Sequence, residues 1–249
     1  MHRGLTISVV IPCYNEENGI QRVIESLPAC VDEVVVVDNN STDRTAEVAV
    51  TLGARVIRQK RQGYGAAYKA GLPAATSDVT VTLDGDGTYP TEQIPELVDH
   101  LKTQKVDFLS ASRFPLADRR SMSLFNKLGN FALTISMRLL FGTAIKDSQS
   151  GMWVYRTEIL PRLRLTSDGM PLSQEIKIEA LRAKGVCFAE YPVRYYGRIG
   201  EVKLNRWRDG WSNLLFLFRK RFGLIQPSRR TGAAVTAQEL ARKLTTTSS

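Results

Sequence analysis

The sequence predicts an α/β protein built on a largely parallel, doubly wound sheet, and three observations carry that prediction. Short β-branched runs such as Glu33 to Asp38 and Val79 to Leu83 read as buried strands. Segments with helical spacing separate them, so consecutive strands are joined by crossovers rather than hairpins. The runs stop in polar or acidic clusters, which in an open α/β sheet fall along the carboxyl edge, where ligands bind. At 249 residues the chain is long enough to bury a sizeable core.

Taken in order, Thr6 to Pro12 is the first strand, followed by the loop Tyr14-Asn15-Glu16-Glu17-Asn18 and a helix over about Ile20 to Leu27. The strand Glu33 to Asp38 leads into Asn39-Asn40-Ser41-Thr42-Asp43, where Ser41 or Thr42 is placed to cap a helix of about Asp43 to Leu52. Ala54 to Ile57 is a third strand, and the glycine loop Gln62-Gly63-Tyr64-Gly65 opens a helix through about Ala75. After the central strand, Pro90 starts a helix to about Leu101, since proline is tolerated in a first turn. Asp107 to Ala111 is a further strand. Arg119 to Phe141 is helical, and the polar loop Lys146 to Met152 leads into Trp153-Val154-Tyr155. A helix of about Ser173 to Lys184 and a strand from Val186 to Val193 follow. The domain spans residues 1–225, and the Ser/Thr/Arg-rich residues 226–249 read as a mobile tail.

The apolar fraction of 43% and charged fraction of 24% are those of a globular protein. A net charge of +9 favours an anionic partner: nucleic acid, an anionic membrane surface or a phosphorylated substrate. The three cysteines, Cys13, Cys30 and Cys187, lack metal-ligand spacing and suit a reducing compartment. No apolar run approaches the length of about 20 residues needed to span a bilayer. Met1-His2-Arg3-Gly4 runs straight into a strand, so no signal peptide is expected.

The richest chemistry lies in Asp84-Gly85-Asp86-Gly87. Two carboxylates at i and i+2 suit a hard divalent ion that also holds phosphate oxygens. Glycines on either side of Asp86 let the backbone turn sharply and approach a ligand. The same four residues also suit a plain strand-end turn.

Four strand-end clusters, Pro12-Cys13-Tyr14-Asn15-Glu16, Val37 to Asp43, Leu83 to Asp86 and Ser112-Arg113-Phe114, together resemble the inverting glycosyltransferases of family 2. Asp147 to Met152 and Tyr191 through Leu204 resemble the branch of dolichol-phosphate mannose synthases and polyprenyl-phosphate glycosyltransferases. The resemblance spans about Ile7 to Phe222 and implies the GT-A fold, a Rossmann-like, mostly parallel sheet with helices on both faces. It implies that Pro12, Tyr14, Glu16 and Asp38 line a nucleoside pocket, and that Asp84 and Asp86 hold Mg²⁺ or Mn²⁺ on the diphosphate of a GDP- or UDP-hexose. Arg113, Arg198 and Lys203 match basic positions used around phosphates, where an arginine fork fits well. Asp86, Asp147 and Arg113 are assigned to the transfer step. Two positions depart from the branch: Thr88 stands where a glutamine can join the metal, and Glu201 replaces a serine after Gly200.

The implied reaction moves a hexose, with mannose from GDP-mannose favoured, to a polyprenyl phosphate. If the acceptor is instead a hydroxyl of a soluble glycan or natural product, a carboxylate base is required, with Asp147 and Glu175 as candidates. A UDP-sugar donor is the other alternative. The Trp- and Phe-rich segment 205–222, flanked by arginines, fits a helix lying in a membrane interface, and 118–142 is a second candidate. The expected setting is therefore cytoplasmic and peripheral at the inner membrane face. Nucleic acid is not an expected partner, because the aromatics cluster with aliphatics rather than forming a stacking platform.

Overall fold

The computed structural model describes residues 1–116, 122–200 and 206–224. Among them, seven strands run as β1 (Ile7–Cys13), β2 (Glu33–Asp38), β3 (Arg55–Arg58), β4 (Val79–Thr82), β5 (Phe108–Ser112), β6 (Trp153–Arg156) and β7 (Phe188–Pro192). The helices are α1 (Glu17–Glu25), α2 (Thr45–Thr51), α3 (Tyr64–Gly71), α4 (Ile94–Thr103), α5 (Leu124–Phe141), α6 (Leu172–Arg182) and α7 (Arg206–Arg221). The strands form one sheet in the order β3-β2-β1-β4-β6-β5-β7. Every pairing is parallel except those of β6, which runs antiparallel to both β4 and β5.

Period-two side-chain alternation sorts the strand residues to the two faces. Val9, Ile11, Val36 and Val81 pack with Ile20 of α1 and Leu97 of α4, while Val10, Val35 and Val37 pack with Tyr68 of α3 and Ile176 of α6. Each fully buried Val or Ile contributes about 1.5–3 kcal/mol relative to exposure, so neither face can be stripped of its helices. A third cluster of Met137, Ile145, Ile178 and Leu217 ties α5 and α7 to α6.

The expected elements are present, with local differences. Trp153-Val154-Tyr155 is a central strand, β6. It begins from a loop at the carboxyl edge, where Asp147 meets Arg113, and so can only run back against its neighbours. Ser41 and Thr42 do not cap α2. The Ser41 hydroxyl accepts the Asn15 N–H at 3.0 Å, and the Thr42 N–H donates to Asn15 Oδ1 at 2.7 Å, so both residues tie the β1 and β2 loops together. Pro90 precedes a short 3₁₀ turn, Thr91–Gln93, and it is Pro95 that occupies the first turn of α4. α5 starts at Leu124, capped by the Ser123 hydroxyl, which accepts the Asn126 N–H. The tail 226–249 lies outside the described residues.

Candidate active site

β1 and β4 lie side by side in parallel register, so the segments that follow them emerge together at the carboxyl edge. A cavity of about 400 Å³ opens there, with Pro12, Tyr14, Glu16, Asn39, Asp84 and Asp86 among the residues that line it. The start of α3, through Gln62 to Tyr64, and the turn at Gly169 and Met170 complete the wall. The Asn39 side chain is fixed as it enters: Oδ1 accepts the Gly63 N–H at 2.7 Å and Nδ2 donates to the Arg61 carbonyl at 2.8 Å.

The two aspartates differ. Asp86 is buried, and its Oδ1 accepts the Thr88 hydroxyl at 2.7 Å and the Thr88 N–H at 3.1 Å. Thr88 therefore orients Asp86 rather than offering a third ligand. Asp84 is half-buried beside it; burial first, then the Asp86 charge, push its carboxyl up to about 7, against the opposing pull of Arg113 and Arg198. Gly85 separates them because a Cβ there would stand 2.7 Å from Cys13 Sγ, and Gly87 turns with φ of +73° beneath Ile199. Two carboxylates whose mutual repulsion raises a pKa, beside a cavity with room for phosphates, fit a hard divalent ion that keeps water and substrate oxygens. No cluster of three or more His, Cys, Asp or Glu side chains that could cage a metal forms among the described residues. A diphosphate would supply the remaining ligands.

Arg198 reaches across this acid pair. Its Nη1 donates to Asp86 Oδ2 at 2.8 Å and its Nη2 to Glu16 Oε1 at 2.5 Å. The Ile199 N–H bonded to the Asp86 carbonyl at 2.9 Å holds the segment down. Lys203 lies outside the described residues.

Arg113 follows β5 and Asp147 sits in the loop before β6. The Arg113 N–H, Nε and Nη2 donate to the Asp147 carboxylate at 3.0, 2.7 and 2.9 Å. Burial raises the Asp147 carboxyl, but the Arg113 charge and hydrogen bonds, with Lys177, outweigh it and hold the group well below the usual carboxylate range. Arg113 also stacks over Tyr195, 5.3 Å from the ring centre. Asp147 is fully buried, and both of its carboxylate oxygens are engaged by Arg113. Glu175, the other candidate base, accepts the N–H groups of Thr166 and Ser167, each at 2.8 Å, and pairs with Lys220. Asp38 ends β2 next to the cavity, with Oδ1 accepting the Ser41 N–H at 3.0 Å.

A family model described as Glycosyl transferase family 2 matches residues 8–164, more than half of the chain. The chain belongs to this family. It is 38% identical over 207 residues to a dolichyl-phosphate hexose transferase of Haloferax volcanii, covering 82% of this chain and 89% of that one. The low-salt glycan biosynthesis hexosyltransferase Agl6 of the same organism is 33% identical over 237 residues. That match takes in 92% of this chain but only 57% of the relative's length. Among solved structures, glucosyl-3-phosphoglycerate synthase from Mycobacterium tuberculosis, in complex with Mn²⁺, UDP-glucose and phosphoglyceric acid, superposes with a TM-score of 0.71 at 25% identity. The match covers 90% of this chain and 82% of that one, and the shared fold is GT-A.

Beside the carboxyl edge of its sheet this glycosyltransferase carries an apolar ledge. Leu128 and Phe131 of α5 and Trp207, Trp211 and Phe218 of α7 are exposed, and the Phe125 and Trp207 rings meet edge-on at 5.3 Å. A groove of about 390 Å³ runs along α7 between Trp211, Leu215 and Phe218. Arg208 lines both this groove and the larger cavity. No helix among the described residues is long and apolar enough to cross a membrane. Sequence reasoning missed Asn39, Tyr64 and Met170 as cavity walls and Arg208 as its rim. Tyr64 and Met170 carry no motif, and Arg208 reads as one of several flanking cations.

Proposed function

We propose that the chain transfers a hexose, favoured as mannose from GDP-mannose, from a nucleotide sugar to a polyprenyl phosphate, as a peripheral protein at the inner face of a membrane. The observation that carries this reading is Arg208, which joins the acid-lined cavity to the apolar groove on α7. A phosphate headed by a long hydrocarbon needs that juxtaposition: a cation at the mouth of a polar cavity and an apolar path leading away. The names of the Haloferax volcanii relative and of a dolichol-phosphate mannosyltransferase of Pyrococcus furiosus, 30% identical over 213 residues, support the acceptor class.

In this reading Asp84 and Asp86 hold Mg²⁺ or Mn²⁺, which when bound neutralises charge developing on the departing nucleoside diphosphate. Pro12, Tyr14, Glu16, Asn39 and Asp38 form the nucleoside end. Arg198 faces the diphosphate; Lys203, which the resemblance assigns to phosphate contact, lies outside the described residues. Arg113, held by Asp147, presents its remaining nitrogen toward the phosphates. A lipid monophosphate has a second pKa near 6 and is mostly a dianion at neutral pH, so its oxygen attacks the anomeric carbon as the bond to the diphosphate breaks. No general base is required, which agrees with the engagement of Asp147 and Glu175. Attack opposite the leaving group inverts the anomeric carbon and gives a β-linked product.

The likeness to a synthase bound to UDP-glucose and phosphoglyceric acid favours a second reading, a UDP-sugar donor with a soluble acceptor. One experiment separates the two. Purified protein with Mn²⁺ is given labelled GDP-mannose, UDP-glucose or UDP-N-acetylglucosamine, with polyprenyl phosphate in anionic vesicles. The expected result is metal-dependent label in the organic phase that Asp86→Ala lowers by roughly 10³-fold. Label confined to water-soluble product from a UDP-sugar would transfer the assignment to the second reading.

A further inference from the structure

The loop that carries Asp147 is gripped from behind by two charged residues that meet neither cavity. Lys177, in the middle of α6, is fully buried, and its Nζ donates to the Asp147 carbonyl at 2.8 Å. Glu190 of β7 accepts the Asp147 N–H at 3.1 Å through Oε1 and the Lys146 N–H at 2.6 Å through Oε2. Both peptide groups flanking the Asp147 side chain are thus fixed by ionisable side chains from separate elements, one on a helix and one on a strand. The Asp147 carboxylate in turn fixes three donors of Arg113.

A lysine at this place is costly if it only fills space. An ammonium taken out of water loses several kcal/mol of hydration unless paired, and a methionine of similar length would pack without that loss. Burial lowers the Lys177 ammonium to about 7, with Asp147 pulling the other way. The grouping Arg113, Lys177, Asp147 and Glu190 balances two positive charges against two negative ones inside the sheet–α6 layer. Ser148 is also tied, its N–H donating to the Thr134 hydroxyl of α5 at 3.2 Å, so the loop is pinned from three elements at once.

We propose that Lys177 is a positioning residue: with Glu190 opposite it, it clamps the Asp147 peptide so that Asp147 holds the Arg113 guanidinium in one orientation toward the reacting phosphates. The part concerning phosphates rests on the proposed function; the clamp itself does not, and the test separates them. In this arrangement Lys177 touches no substrate, so its loss weakens turnover and leaves nucleotide affinity in place.

The test compares the full chain with Lys177→Met and Lys177→Gln, the latter keeping a donor for the Asp147 carbonyl without the charge. Three quantities are read: the ¹⁵N–¹H signal of Arg113 Nε, assigned by its loss in Arg113→Lys; the affinity for Mn²⁺ with UDP and with GDP; and the rates of sugar transfer to polyprenyl phosphate and of donor hydrolysis. The expected outcome for Lys177→Met is an Arg113 Nε signal that shifts or broadens, a turnover lower by about tenfold and nucleotide affinity within twofold. Lys177→Gln recovers most of the Arg113 signal and rate. An unmoved Arg113 signal in both variants would overturn the clamp, whatever reaction the protein catalyses. Should Lys177→Met fail to fold, Glu190→Ala, which removes both acceptors of the loop N–H groups, is read by the same signal, and an undisturbed Arg113 there overturns the clamp equally. Wild-type protein that hydrolyses donors but never labels polyprenyl phosphate would end the acceptor reading alone, with the Arg113 signal still deciding the clamp.

Discussion

Arg113 and Arg198 both pair with carboxylates beside Asp84, and the two pairs are built for different work. Arg113 places three donors on one carboxylate, and the partner, Asp147, is fully buried. Arg198 divides itself between two carboxylates, one bond to Glu16 and one to Asp86, and its buried Nε has no partner among the described residues. The first pair sits inside the sheet layer and is clamped from behind. The second is carried by the segment leading to Gly200, which has φ of +85°, and lines the cavity. A fork held by one carboxylate keeps a single orientation. A cation shared between two acids, one of them a metal candidate, can exchange those acids for phosphate oxygens.

The largest effect that sharpens this contrast comes from breaking the buried pair. Arg113→Ala leaves the Asp147 carboxylate buried without its main partner, and removal of one member of such a pair costs about 3–5 kcal/mol. Asp147→Ala does the same from the other side. The double variant Arg113→Met with Asp147→Leu removes both charges, so its stability in urea should exceed that of either single variant, at an unchanged denaturant slope. Independent small losses that simply add would mean the pair is no more buried than Arg198 and its partners.

The second effect has opposite signs for two ligands. Arg198→Met removes the cation from Asp86, so Mn²⁺ binding in the absence of nucleotide should tighten by at least about tenfold, since a unit like charge at an effective dielectric near 20 is worth that much even at roughly 12 Å. The same change removes phosphate donors, so UDP or GDP in the presence of Mn²⁺ should bind about tenfold more weakly. Calorimetry on the two titrations checks both. If both affinities fall together, Arg198 is a structural brace rather than an exchangeable cation. Stability should fall by less than in Arg113→Ala, because Arg198 is about a quarter exposed whereas Arg113 and Asp147 are both buried.

These differences mark how far the sequence could be read. The alternation of β-branched runs with helical segments was enough for the doubly wound sheet, because period-two and 3.6-residue patterns survive whatever the tertiary contacts. β6 was not legible as a strand reversed between β4 and β5, since its direction depends on where the preceding loop ends in space. The caps of α2 and α4 were misplaced for a related reason: Ser41 and Thr42 found partners in the β1 loop, a contact with no local sequence signal. Asp84 and Asp86 could be singled out because strand-end acids are local, and Arg113 and Asp147 because the family resemblance points to them. Their division into an orienting Thr88, a shared Arg198 and an Arg113 held by one carboxylate was not legible, because it is made by residues from four separate segments. Lys177 was the least visible, since one lysine on an amphipathic helix reads as solvent-facing.

A pH dependence, whose smallest part is a change in metal affinity, tests whether Asp84 belongs to the exchangeable side of the comparison. Its carboxyl lies at about 7 in the fold against 3.8 when unperturbed, raised first by burial and then by Asp86. A folded-state pKa raised above the unfolded one favours the protonated form, so the metal-free protein should lose stability as pH rises from about 4 to about 7, then level off. Metal binds the deprotonated carboxylate, so apparent Mn²⁺ affinity should run the other way, falling about fivefold from pH 7 to pH 6 as the proton competes. Thermal unfolding with and without Mn²⁺ across this range measures both slopes, and Asp84→Asn should flatten both. Arg198→Met should move the midpoint upward, because Arg198 is one of the charges holding the Asp84 value down, whereas a change confined to the far side of the Arg113 clamp should move it less. A midpoint indifferent to Arg198 would place the arginine too far from Asp84 for the exchange of acids for phosphates to matter.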